Sequence, residues 1–137
     1  MTKIRTCITI ALVLVATNLL AVEKEAGQTD RFLLLATTRT GTMQKELNEA
    51  GARGYRFVGT QGGTTAFAGN EVVVIMTLDP EGRRYRYLLL ATSRTGTMQK
   101  EMNEAPPEYE YAGMTVFKSR FGGSETAVIL QAEVKDE

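Results

Sequence analysis

The sequence has no histidine, no tryptophan and a single cysteine, Cys7, which lies close to the N-terminus. These absences exclude a Ser-His or Cys-His nucleophile system and remove the usual ligands of zinc, copper and haem. Neither a Walker lysine loop nor a Gly-x-Gly-x-x-Gly motif opens a predicted helix. We therefore expect no catalytic residue, no metal and no cofactor, and an enzyme is the least favoured class of function.

The chain also has no excess of charge of one sign, because 16 basic residues face 16 acidic residues. Without a basic stripe, nucleic acid is not an expected partner. Long apolar runs are scarce as well. The clearest one, from Cys7 to Ala16, follows the basic residues Lys3 and Arg5.

This N-terminal pattern is typical of a secretory signal peptide over residues 1–21. The run is shorter than the about 20 apolar residues that a spanning helix needs. We expect cleavage near Ala21 and a periplasmic or secreted mature protein that does not span a membrane. An uncleaved N-terminal anchor is the alternative. The polar residues 22–30 are expected to form a disordered leader.

The rest of the chain is an internal duplication. Residues Arg31 to Ala50 recur as Arg86 to Ala105, and only three of the twenty positions differ. Such a repeat indicates two copies of one structural unit. We expect one pseudo-symmetric domain over residues 31–137, with repeat 1 at 31–79 and repeat 2 at 86–135.

Each repeat reads as strand, helix, strand, strand. In repeat 1 the strands are predicted over 32–37, 55–60 and 71–78, and residues 61–70 are predicted to form a loop. Met43, Leu47 and Ala50 form one helical face, whereas the polar residues between them, including Asn48, take the other sides. Gly54 suits the position just past the helix, and in repeat 2 the helix should stop before Pro106. The predicted fold is therefore α+β, a tandem βαββ duplication with antiparallel sheets, two helices and a pseudo-two-fold axis.

The junction Asp79-Pro80-Glu81-Gly82 has the composition of a type I turn. A turn this tight favours a hairpin between 71–78 and 85–91, which would exchange strands between the repeats. Self-contained repeats are the alternative. In either case each three-stranded sheet has apolar residues on both faces, so the face without a helix must pack on the other repeat or on another chain. A homo-oligomer is therefore permitted.

Residues Leu47 to Val58 contain Leu-Asn-x-x-Gly-x-x-Gly followed by the aromatic Tyr55. This segment resembles a signature of small exported bacterial proteins of unknown function. The arrangement is also similar to strand-helix-strand-strand modules of small periplasmic stress proteins and of dodecins. Repeat 2 departs from the signature at Pro106-Pro107. The resemblance implies the fold and names no catalytic residue.

A duplicated Arg-Thr-Gly-Thr motif begins both helices and carries positive charge where acids are usual. Together with free helix N–H groups, it could hold phosphate, sulfate or a carboxylate. The alternative is purely structural, with Thr40 or Thr42 capping the helix. The candidate ligand-binding residues are Arg39, Thr40, Gly41, Thr42, Arg94, Thr95, Gly96 and Thr97.

Two functional hypotheses follow. The first is an exported, non-catalytic binding module for a small anionic ligand or a protein partner. The alternative is a structural or stress-related envelope protein that acts through self-assembly. The acid pairs on the helices, such as Glu46 with Glu49, are expected to be solvated helix faces.

Overall fold

The computed structural model describes residues 30–65, 69–118 and 123–135, and the predicted signal peptide lies outside them. Repeat 1 consists of a strand, a helix and two strands, and repeat 2 has the same order. The elements are β1 (Phe32–Thr37), α1 (Thr40–Ala52), β2 (Tyr55–Thr65), β3 (Gly69–Leu78), β4 (Arg84–Thr92), α2 (Thr95–Glu104), β5 (Glu110–Lys118) and β6 (Ser124–Val134). The predicted α+β, tandem βαββ fold is confirmed.

Each repeat forms its own antiparallel sheet. The first sheet has the order β1-β3-β2 and the second has the order β4-β6-β5. The last strand of each repeat is central, and it carries a run of β-branched and aliphatic residues that suits burial on both faces. The Leu34 backbone pairs with Ile75 of its own repeat, and Leu89 pairs correspondingly with Ile129.

The predicted strand exchange between repeats is therefore wrong. Leu78 N–H donates to Arg31 O at 2.8 Å, and Asp79 N–H donates to Gly54 O at 2.8 Å. Both edges of β3 are thus occupied up to its end, by β1 on one side and β2 on the other. The turn after Asp79 has no free edge to fold back on, so β4 begins a separate sheet.

Both helices end where the sequence predicts. The chain leaves α1 through Arg53 and then Gly54, which has a φ of 90°. This left-handed conformation favours glycine and stops the helix. The helix α2 is shorter and ends at Glu104, just before Ala105 adopts the extended conformation that a following proline requires.

The predicted loop over residues 61–70 is largely strand, because β2 runs to Thr65 and β3 starts at Gly69. Gly62 is present for a different reason than loop flexibility. A Cβ at this position would collide with Val116 O and with the Thr115 side chain of β5. The glycine permits close packing between the repeats.

The two repeats stack with the same face of each sheet pointing in the same direction. The helix face of a sheet is defined as the face that its own helix covers, and the back face is the opposite one. The α2 side chain of Met98 clusters with Val128 and Leu130 on the helix face of the second sheet. The back face of the same sheet, including Tyr87 and Ile129, packs into the main core against α1 and the helix face of the first sheet.

A two-fold axis would require reciprocal contacts between the repeats, and the observed contacts are not reciprocal. Phe57 of β2 packs on Gly113 of β5, but Gly59, the counterpart of Gly113, has no side-chain or backbone atom within 4 Å of its Cβ position. Tyr111, the counterpart of Phe57, is exposed. The expected pseudo-two-fold relation is therefore not present in these contacts. Repeat 2 sits on repeat 1 head to tail, with its back face on the helix side of its neighbour.

Candidate functional site

A polar contact between the repeats joins α1 to the outer edge of β4. Gln44 Nε2 donates to Tyr87 O at 2.7 Å, and Gln44 Oε1 accepts from Leu89 N–H at 2.6 Å. Asn48 Nδ2 donates to the same Tyr87 O at 2.9 Å, and Asn48 Oδ1 accepts from Tyr87 N–H at 2.9 Å. Two side-chain amides thus satisfy backbone groups that a further strand would otherwise bind.

This contact has an unused counterpart. In the repeat alignment, Gln99 and Asn103 of α2 correspond to Gln44 and Asn48, and Phe32 and Leu34 of β1 correspond to Tyr87 and Leu89. Gln99 and Asn103 are exposed, and neither side chain has a hydrogen bond within residues 30–65, 69–118 and 123–135. The sequence shows the repeated amides, but it does not show which pair is used.

The outer edge of β1 is also unused. Leu78 N–H bonds Arg31 O, and ladder hydrogen bonds alternate along an antiparallel pair. The N–H and C=O groups of Phe32 and Leu34 therefore point away from β3. No group in the described part of the chain binds them. Backbone groups left open along an edge strand are a template for pairing with another chain.

The side chains beside this edge form an exposed apolar surface on the back face of the first sheet. Phe32 is 55% exposed, Leu34 51% and Ile75 44%. Their counterparts in repeat 2 are Tyr87 and Ile129, which are buried in the main core, and Leu89, which packs against it. The same type of surface is therefore buried in one repeat and exposed in the other.

A second exposed apolar surface lies on the helix face of the second sheet, along β5. Its members are Tyr111, Met114 and Val116, which are 60%, 58% and 46% exposed. The corresponding residues of β2 are Phe57, Thr60 and Gly62, of which Phe57 and Gly62 lie against β5 of repeat 2. The two exposed surfaces are thus the two halves of the contact that already joins the repeats.

The structure places the predicted anion motifs at the starts of α1 and α2, but it does not bring them together. Their helices lie on opposite sides of the second sheet. Arg39 and Arg94 are exposed, and a depression of about 290 Å³ beside the second motif is lined in part by Arg94, Thr95, Met98 and Met114. The motifs form two separate positions rather than one site.

The expected threonine caps are wrong. Arg39 and Arg94 are the N-cap residues, and neither helix has a side-chain cap. The Arg39 carbonyl accepts the first helical bond, from Met43 N–H at 3.0 Å. The three preceding N–H groups, from Thr40 to Thr42, consequently have no partner within the helix. The threonines that do bind are Thr37 and Thr92, whose hydroxyls accept from Arg39 N–H and Arg94 N–H.

Glu49 and Glu104 form solvated pairs, whereas Glu46 is half-buried and its Oε2 has no hydrogen-bond partner among the described residues. Lys45 lies 3.7 Å from Glu49, and Lys100 lies 3.7 Å from Glu104, with all four side chains more than half exposed. Exposed pairs of this kind contribute little to stability. No group of three or more acidic or other metal-ligating side chains that could hold a metal ion occurs in the described ranges.

A buried acid at the junction was not predicted from the sequence. Asp79 is buried and accepts hydrogen bonds from Tyr85 OH, from Arg83 Nε at 3.2 Å and from Glu81 N–H at 2.8 Å. The Tyr85 hydrogen bond is the main cause that lowers the pKa of Asp79 to about 2. Burial, followed by the bond to Asp79, raises the pKa of Tyr85 to about 12. This network fixes the turn between the repeats, and Arg83 and Tyr85 also line an open depression of about 470 Å³.

No family model, curated protein or solved structure matches the chain. The resemblance of residues 47–58 to small exported bacterial proteins therefore stays a prediction. No helix in the described part of the chain is both long and apolar enough to cross a membrane.

Proposed function

We propose that this protein is an exported, non-catalytic binding module whose ligand is a protein surface. The observation that carries the proposal is the exposed back face of the first sheet, where Phe32, Leu34 and Ile75 border the open edge of β1. The equivalent back face in repeat 2 is buried against repeat 1, and this supports a protein as the ligand of the exposed back face.

The chemistry of the surface favours a polypeptide over a small molecule. An open strand edge offers N–H and C=O groups at the regular spacing that another chain or a row of amide side chains matches. Contiguous exposed apolar residues next to that edge add the burial that stabilises such contacts. The export part of the proposal is supported by the basic start and apolar run of residues 1–21.

Site-specific photo-crosslinking in the producing cell tests the proposal. A photoreactive amino acid at Leu34 should give a discrete protein adduct, whereas the same amino acid at Ala52, exposed at the end of α1, should give none. The adduct mass then identifies the partner. Absence of an adduct from Leu34, Phe32 and Ile75 alike would contradict the proposal.

Binding of a small anion is the second candidate function. It is favoured by two helix starts that have an arginine N-cap, no side-chain cap and no acid in the first turn. Gly41 and Gly96 each face open space, so an anion could approach the backbone N–H groups closely.

A further inference from the structure

We propose that the partner is a second copy of this chain, bound head to tail. The back face of the first sheet of the incoming copy packs on α2 and β5 of the receiving copy. The inference rests on the proposed function and names its ligand. In this arrangement, the contact that joins the two repeats within one chain is repeated between chains. Repeat 1 of the incoming chain takes the place that repeat 2 occupies on repeat 1.

Four hydrogen bonds of the internal contact can be reproduced residue by residue. Gln44 and Asn48 hold the edge of β4 through four hydrogen bonds. Gln99 and Asn103 have the same identities and the same spacing on α2, and they are exposed. The edge groups of Phe32 and Leu34 are the counterparts of the groups that α1 binds. The donors and acceptors of these four bonds therefore match at both ends of the molecule. The bonds from Tyr87 OH to Tyr55 O and from Phe57 N–H to Gln131 Oε1 have no equivalent, because Phe32 and Thr77 take the places of Tyr87 and Gln131.

In the apolar half of the internal contact, repeat 2 covers the apolar residues of α1, but nothing in the described part of the chain covers those of α2 in the same way. Met43, Leu47 and Ala50 of α1 are each 0% exposed, because repeat 2 closes over them. Their counterparts on α2 are Met98, which is 8% exposed, and Met102 and Ala105, which are only partly buried. An incoming back face would supply the missing layer for these residues and for Met114 of β5.

Two sequence differences between the repeats make the contact between chains looser than the contact within the chain. Gly51 and Gly62 approach the backbone of repeat 2 so closely that a Cβ at either position would collide with it. Their counterparts in repeat 2 are in the region of Pro106 and at Val116. The contact between chains must be wider at these points, so association should be reversible and should depend on concentration.

A head-to-tail contact uses two different surfaces, so it can be repeated until a ring closes or a fibre grows. This property separates it from a two-fold dimer. A variant that is damaged in one surface still has the other surface intact. Two complementary variants can therefore form one contact between them and no more.

The experiment is sedimentation velocity on the protein purified after expression of the full sequence, from micromolar to millimolar concentration. The first variant, Leu34→Glu, places a charge on the back face, and the second, Met114→Glu, places one on the helix face of the second sheet. Both positions are more than half exposed, so neither charge is buried in the monomer. Ala52→Glu is the matched control, and circular dichroism reports whether each variant is folded.

The unchanged protein and Ala52→Glu should associate, each single variant should be monomeric, and an equimolar mixture of the two variants should form a dimer and nothing larger. A monomeric unchanged protein throughout the range overturns the inference. So does a mixture that stays monomeric while both variants are folded. An adduct between Leu34 and a different protein, from a chain that is itself monomeric, overturns the inference but leaves the proposed function standing.

Discussion

At the scale of single residues, identical side chains have different roles in the two repeats. Asn48 forms hydrogen bonds with both backbone groups of Tyr87, whereas its copy Asn103 is exposed. The sequence predicts correctly that the Leu47 side chain lies on the buried face of α1, because the apolar residues of this helix recur with a clear helical period. It wrongly groups Asn48 with the solvated residues, since a polar side chain that binds another repeat gives no periodic signal.

The first prediction compares three truncations. Leu47→Ala should lower the free energy of unfolding by about 2–5 kcal/mol, because it leaves a cavity in a fully buried site. Asn48→Ala should cost about 1–3 kcal/mol, because it removes partners from the Tyr87 backbone. Asn103→Ala is the matched control and should change stability by no more than about 0.5 kcal/mol in dilute protein. Equal effects of the two asparagine variants in urea unfolding would contradict the structure.

The buried acid at the junction leads to a prediction on pH. The pKa of Asp79 is lowered to about 2 from its ordinary 3.8, chiefly by the Tyr85 hydrogen bond. Its contribution to stability is therefore present above about pH 4, and it is lost as the pH falls through about 2. The difference in melting temperature between the unchanged protein and Asp79→Asn should accordingly shrink from pH 5 to pH 2. A difference that is constant over this window would show that the carboxylate is not stabilised in the folded state.

At the scale of the elements, each helix starts without a side-chain cap and beside an exposed arginine. Such a start is stable only if water or another group binds its free N–H groups. The Arg-Thr-Gly-Thr motif was recognisable from the sequence because it occurs twice. The N-cap residue was not, because threonine is a preferred N-cap residue and arginine is not, so the sequence rule favours the wrong position.

The third prediction concerns anions at these helix starts. Phosphate or sulfate should raise the melting temperature relative to chloride at matched ionic strength, because a ligand of the folded state stabilises it by mass action. The stabilisation should reach about 2.7 kcal/mol for each of the two positions where the anion concentration is about 100 times the Kd. It should be smaller in Arg39→Ala and absent when Arg94→Ala is added. Arg53→Ala removes the same charge at the far end of α1, and an equal loss in that variant would indicate a general charge effect.

The turn and the glycines show why other elements were mispredicted. Asp79 to Gly82 does form a turn, since Gly82 N–H donates to Asp79 O at 3.1 Å. A local turn signal cannot show that both edges of the preceding strand are already paired. Likewise, the glycines of β2 read as a loop, although Gly62 is required by the close approach of β5. Both errors come from contacts that are distant in the sequence.

At the scale of the whole molecule, the duplication produces a directional stack. The sequence predicts two βαββ units. It also predicts that one apolar face of each sheet needs a further partner, because one helix covers only one face of a three-stranded sheet. It cannot predict which back face is covered, since the two are nearly identical in β1 and β4. The structure shows the back face of repeat 2 buried and that of repeat 1 exposed. This difference is the basis of the proposed binding surface.

The most direct test of this account is amide hydrogen exchange at Leu34 and Leu89, followed by nuclear magnetic resonance in dilute and in concentrated protein. Leu89 N–H is bonded to Gln44 Oε1 within the chain, whereas Leu34 N–H lies on the open edge of β1. Leu89 should therefore exchange slowly in both samples, and Leu34 should exchange rapidly in the dilute sample and slowly in the concentrated one. Slow exchange of Leu34 in dilute protein, or rapid exchange at every concentration, would contradict the account.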